Sequence, residues 1–170
     1  MAAGKQGMAL AAAALALGAL ACTLGMGSSG TISGTVWLDY CSPGDAEGGT
    51  GPDAGTCVID SFGAKAADGV MQPEEEGLEG VTVSLWEGTC PPNGEPGEQA
   101  VTDGDGEYTF TALTRGQYCV GIRVLEDGND AVLIPGAFTA PPSTVDAMAN
   151  VNVSAGTNTV QNFGWDFQLD

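Results

Sequence analysis

The sequence predicts an all-β, antiparallel sandwich of about seven strands with one long, cysteine-bounded loop. Apolar residues alternate with a period of two, glycine turns separate the alternating runs, and no segment beyond the N-terminus sustains an apolar 3.6-residue period. The 27 glycines and nine prolines among 170 residues suit many turns between short strands.

The chain opens with "MAAGKQGMALAAAALALGALAC", in which Lys5 precedes an apolar run from Met8 to Ala21, and no acid occurs before Asp39. A basic start, a short apolar centre and a small-residue exit read as a secretory signal, and the run is short of the ~20 residues of a membrane span. Ala19-Leu20-Ala21-Cys22 resembles the lipobox of bacterial lipoproteins, with Ala19 where leucine is usual. Residues 1–22 are therefore expected to be a lipoprotein-like signal peptide, with Cys22 lipidated and anchored in the membrane. Residues 23–30, around "GMGSSG", form a flexible tether, and 31–170 form a single domain.

In "TISGTVWLD", Ile32, Val36 and Leu38 share one face and Ser33, Thr35 and Trp37 the other. In "VTVSLWE", Val81, Val83 and Leu85 oppose Thr82, Ser84 and Trp86. "GEYTFTA" pairs Tyr108 with Phe110, and "YCVGIRV" turns Tyr118, Val120, Ile122 and Val124 inward while Cys119 and Arg123 face out. "NVNVSA" and "TVQNFGWDFQ" supply two more strands, the latter with Phe163, Trp165 and Phe167 on one face. "TDGDGEY" places Asp105-Gly106 between two runs, a hairpin signal because both residue types tolerate positive φ. The exception is Tyr40 to Ala67, a glycine-, aspartate- and proline-rich stretch too long to stay structureless without a function or a restraint.

Cys41 and Cys57 lie near the two ends of that stretch, so a disulfide between them would restrain it. Cys90 continues the outward parity of Trp86, and Cys119 is outward too, so a second bond could clip two strands on the solvent side. If Cys22 carries lipid, these four cysteines are an even set. Four cysteines allow three pairings, and parity alone does not exclude the other two. No CxxC pair is present, which argues against zinc or thiol redox chemistry.

Net charge is −18, from 22 acids against four bases, and the chain has no histidine. Such a polyanion is repelled by nucleic-acid phosphates, so nucleic acid is not an expected partner. The absence of histidine removes the commonest general base and the commonest transition-metal ligand.

Three stretches now stand in order: "GTVWLD" (34–39), "DGVMQPEEEGLEGVTVSLWE" (68–87) and "TDGDGEYTFTALTRGQYCVGI" (102–122). Together they resemble the B-type domain of the serine-aspartate-repeat surface proteins, related to the collagen-adhesin B-type domains. The resemblance implies a prealbumin-like β-sandwich used as a stalk or spacer at the cell surface, often calcium-stabilised. Two departures stand out. A long insert follows Asp39, and Gln72 occupies the place of a further aspartate. The lysine of the first strand that forms an isopeptide bond in some collagen-adhesin-like domains is missing, since Lys65 lies in the insert.

A hard cation such as Ca²⁺ takes six to eight oxygen ligands. Asp39 at the end of the first strand, Asp68 on the loop's return and Glu75 before the next strand are the expected metal ligands, with Asp103 and Asp105 as further candidates. Glu74 and Glu76 are expected to face water. The leading functional expectation is a non-catalytic, secreted or lipid-anchored bacterial spacer or adhesion module. An alternative is an extracellular carbohydrate- or ligand-binding module using Trp37 and Trp86, whose rings fall opposite the aliphatic face. A third is a glycoside-hydrolase-type enzyme with paired carboxylates.

Overall fold

The computed structural model describes residues 29–41, 57–59 and 65–167. The expected signal peptide, Cys22, tether residues 23–28 and the interior of the cysteine-bounded insert lie outside these residues.

Two sheets pack face to face. The larger contains β1 (Gly30–Leu38), β6 (Glu107–Leu113), β8 (Ala137–Ala140), β9 (Pro142–Ser143), β11 (Asn158–Val160) and β12 (Phe163–Asp166). The smaller runs in the order β10 (Asp146–Val153), β7 (Gly116–Arg123), β4 (Thr82–Glu87) and β5 (Glu98–Val101), all antiparallel. A separate hairpin joins β2 (Cys57–Ile59) to β3 (Lys65–Ala67). The one departure from antiparallel pairing concerns β1. It runs antiparallel to β6 but parallel to both β11 and β12, which follow one another along its other side.

Alternation decides which residues meet between the sheets. Ile32, Val36, Val81, Val83, Phe110, Val120, Ile122 and Phe163 are fully buried there, with Tyr108, Tyr118, Phe138 and Trp165 around them. Phe138 packs edge-on to Trp165 at 4.7 Å. The short runs β5, β8 and β9 carry too few residues for alternation to show, and each is defined by its partner strand. One helical turn, α1 (Asp130–Leu133), follows the buried Asn129. That side chain donates to the Thr82 and Arg123 carbonyls and accepts from Thr82 N, tying the crossover to β4. Among the described residues no helix is long and apolar enough to cross a membrane.

Both disulfides pair as the loop ends and parity favoured, Cys41 with Cys57 and Cys90 with Cys119. The outer face of the smaller sheet is nevertheless covered. Residues 88–97 fold back over it, Trp86 Nε1 donates to the Gly94 carbonyl at 3.2 Å, and Cys90 N donates to Asn150. Arg123 stacks 4.8 Å above the Trp86 ring. Trp86 and Trp37 are each 3% exposed, so the stacking faces on which the carbohydrate-binding alternative relies are covered.

A candidate cation site at the end of the larger sheet

Alternation along β1 sends Trp37 and Asp39 to the side of the sheet away from the shared core. Trp37 pairs with Gly164 of β12, and its ring and the Thr139 hydroxyl both lie where a Cβ at Gly164 would stand. The acidic stretch Asp68–Gly77 closes this corner. It starts beside β8, with Gly69 against the Thr139 carbonyl, and ends beside β1 on the far side of β12. There Leu38 N donates to the Glu76 carbonyl and Leu78 N to that of Val36, both at 2.8 Å. Gly77 must be glycine for this approach, because a side chain would run into the Asp105 backbone.

The middle of the three glutamates turns inward. Glu75 is 7% exposed, while Glu74 and Glu76 face solvent. Its Oε2 accepts from Gln72 N at 2.8 Å and its Oε1 from Tyr40 N at 3.4 Å. Asp39 is fully buried, and its Oδ2 accepts from Gly69 N at 2.8 Å. Asp68 is used differently from the expected ligand. Its oxygens accept from Val70 N and from the side-chain amide of Gln72. Among the described residues no three acidic, cysteine or histidine side chains form a ready-made metal cluster.

Burial pushes the Asp39 carboxyl above its ordinary range and the Asp68 charge adds to this, against the Gly69 amide and the nearby Thr139 and Glu75 side chains. Burial, then the Asp39 charge, raises Glu75 as well. Asp166, on β12, is raised by burial and again by Asp39. Four buried polar atoms at this corner have no hydrogen-bond partner: Trp37 Nε1, Asp39 Oδ1, Gln72 Oε1 and Thr139 Oγ1. Trp165 Nε1, on the core side, is the only other among the described residues. Three of the four are oxygens. Carboxylate, amide and hydroxyl oxygens without donors are the donor set that a hard cation takes, so the residues present fit such an ion.

The further expected ligands belong to a turn. Asp103 Oδ1 accepts from Asp105 N and Glu107 N, closing the bend between β5 and β6, and Asp105 is exposed. Gln72, Thr139 and Asp166 are not among the ligands expected from the sequence. Gln72 held a signal in standing where the resembled family has an acid. Thr139 and Asp166 reach the corner only through the pairing of β8 with β12.

A family model described as "SdrD B-like domain" matches residues 61–168. The match begins within the insert, so β1 and Asp39 lie outside it. Among curated proteins, colossin-A of Dictyostelium discoideum is 38% identical over 96 residues, covering 56% of this chain and 1% of colossin-A. Among solved structures, GBS52, the minor pilin of Streptococcus agalactiae, aligns at 12% identity with a TM-score of 0.45, over 84% of this chain and 46% of that one. BcpA, the major pilin subunit of Bacillus cereus, aligns at 11% identity with a TM-score of 0.40, over 83% and 31%. The chain thus spans a small part of the curated relative and less than half of either pilin.

Proposed function

The chain belongs to the SdrD B-like domain family, and on that premise we propose that it is a non-catalytic structural or adhesion module of the cell surface, stiffened by bound calcium. Two disulfides in one small domain favour an oxidising, extracytoplasmic location. Asp39 and Glu75 are closed off from solvent and spend oxygens on backbone amides, which suits holding a structure together rather than meeting a substrate.

The observation that carries the cation is Asp39 Oδ1, a buried carboxylate oxygen with no donor. Leaving such an atom unpaired costs on the order of 1–3 kcal/mol, more when it is charged. Calcium would be held by Asp39 and Glu75, with Asp68 adding charge and neutral oxygens from Gln72, Thr139 and water completing the shell. Bound there, it would join the end of the first strand, the acidic stretch and the strand bearing Thr139. Thermal melting with and without a chelator tests the reading. The expected result is a lower melting temperature on chelation, restored by Ca²⁺, whereas melting indifferent to both overturns it.

A further inference from the structure

The insert that separates Asp39 from Asp68 is bridged at a telling place. Asp39 stands two residues before Cys41, and Asp68 directly follows Ala67. Cys41 is bonded to Cys57, with their Cα atoms 5.0 Å apart, and Cys57 is the antiparallel partner of Ala67. A continuous path therefore runs from Asp39 through the disulfide and one rung of the β2–β3 hairpin to Asp68. Across its open end, Gly69 N donates to Asp39 Oδ2, and Tyr40 N, between Asp39 and Cys41, donates to Glu75. The disulfide thus braces both carboxylates that the corner buries. Without it, the covalent path from Asp39 to Asp68 runs through the whole insert.

We propose that the Cys41–Cys57 disulfide is a positioning element for the cation site, so that its reduction loosens calcium binding. The proposal rests on the cation reading above. Shortening the loop between Asp39 and Asp68 by the 16 residues that the bond spans removes closure entropy. To the extent that reduction lets the two ends part before calcium binds, that closure is worth up to about threefold in affinity. Misplacement of Tyr40 N and Gly69 N after reduction adds to it. In the reduction, two equivalents of an external thiol supply two electrons and two protons. Cys41 and Cys57 become thiols, and the external pair becomes a disulfide.

The test is calcium titration calorimetry on the exported protein, comparing wild type, C41S/C57S and C90S/C119S. The second pair of substitutions removes a disulfide on the other sheet and controls for general loss of stability. The expected result is calcium binding weakened threefold or more in C41S/C57S and unchanged in C90S/C119S. Equal affinity in wild type and C41S/C57S overturns the positioning role alone, and so does equal weakening in both variants. Absence of calcium binding by wild type overturns the cation reading and this proposal with it. A measurement on wild type covers the case in which C41S/C57S does not fold. Because coupling is reciprocal, calcium must make Cys41–Cys57 harder to reduce by the same factor. Thiol-exchange equilibria with alkylation and peptide mapping read this directly, and an equilibrium unmoved by calcium overturns the proposal.

Discussion

The amide of Gly69 donates to Asp39 Oδ2 over 2.8 Å, while Asp39 Oδ1, equally buried, receives nothing. Gly69 holds φ at +77°, a conformation that suits glycine, so the satisfied half of the carboxylate depends on a residue type that the sequence supplies at this point. The unsatisfied half needs a cation or a proton, and the two can be told apart.

Calcium that binds only the folded chain stabilises it by RT ln(1 + [L]/Kd), ~2.7 kcal/mol at a hundredfold excess over Kd. Glu75→Gln and Asp39→Asn are expected to abolish the calcium-dependent rise in melting temperature. Glu74→Gln, on an exposed neighbour, is expected to leave it intact. Mg²⁺, which demands a tighter octahedral shell, should substitute poorly. Differential scanning calorimetry of the four proteins in each ion reads all of these outcomes.

In chelator, the proton takes over. Asp39, Glu75 and Asp166 all have folded pKa values raised above their unfolded ones, so the native chain binds protons more tightly than the unfolded chain. Their ionisation therefore opposes folding at neutral pH, and this penalty fades as pH falls through the raised values. Chelator-treated protein should melt at higher temperature as pH is lowered from neutral. The gain ends below the ordinary carboxylate range, and Asp39→Asn should flatten it. Melting temperatures that fall steadily from neutral pH downward would contradict this.

Loss of the Cys90–Cys119 bond in C90S/C119S should cost about 2–4 kcal/mol in urea unfolding. It should also free residues 88–97 from the outer face of the smaller sheet. Trp86 would then become accessible, visible as a red-shifted, acrylamide-quenchable emission absent from wild type.

Asn129→Ala removes three hydrogen bonds and leaves Thr82 N and the Thr82 and Arg123 carbonyls without this partner. A loss of roughly 3 kcal/mol is expected by denaturant titration, at the upper end for an unsatisfied buried group. An effect within half of one kcal/mol would show that water replaces the amide at no cost.

Lipidation at Cys22 predicts a mature chain that begins at that residue and partitions with membranes, while Cys22→Ser releases the protein to the medium. Intact mass spectrometry of the exported protein decides it, and a soluble wild type with another N-terminus removes the anchor.

Strand parity was legible wherever a run exceeded about six residues, because a period of two needs several repeats to stand out from chance. It placed Val81, Val83 and Leu85 inward and Trp86 outward as the structure has them. It could not show that residues 88–97 return over Trp86, since that cover is fixed by a disulfide and by contacts with Asn150, 60 residues from Cys90. The inward turn of Glu75 between two solvated glutamates was legible through the resemblance, which matches Glu75 and Gly77 to the family's Glu-x-Gly. The contributions of Thr139 and Asp166 were not, because strand pairing brings them to the corner from far along the chain. Asp103 was legible as turn chemistry, since an aspartate two residues before Asp105-Gly106 can take the amides of its own bend, and its Oδ1 accepts two of them.

β1 lies between β6 on one side and β11 and β12 on the other, and its parallel pairing with the last two has a consequence under tension. If the chain before β1 is pulled one way and the chain after β12 the other, the two strands slide lengthwise past each other. The rungs Val36–Phe163 to Leu38–Trp165 then bear the load together, in shear, instead of opening one after another as in a zipper. Force along this axis meets its resistance at the site corner itself, where Asp39 N is hydrogen-bonded to the Trp165 carbonyl.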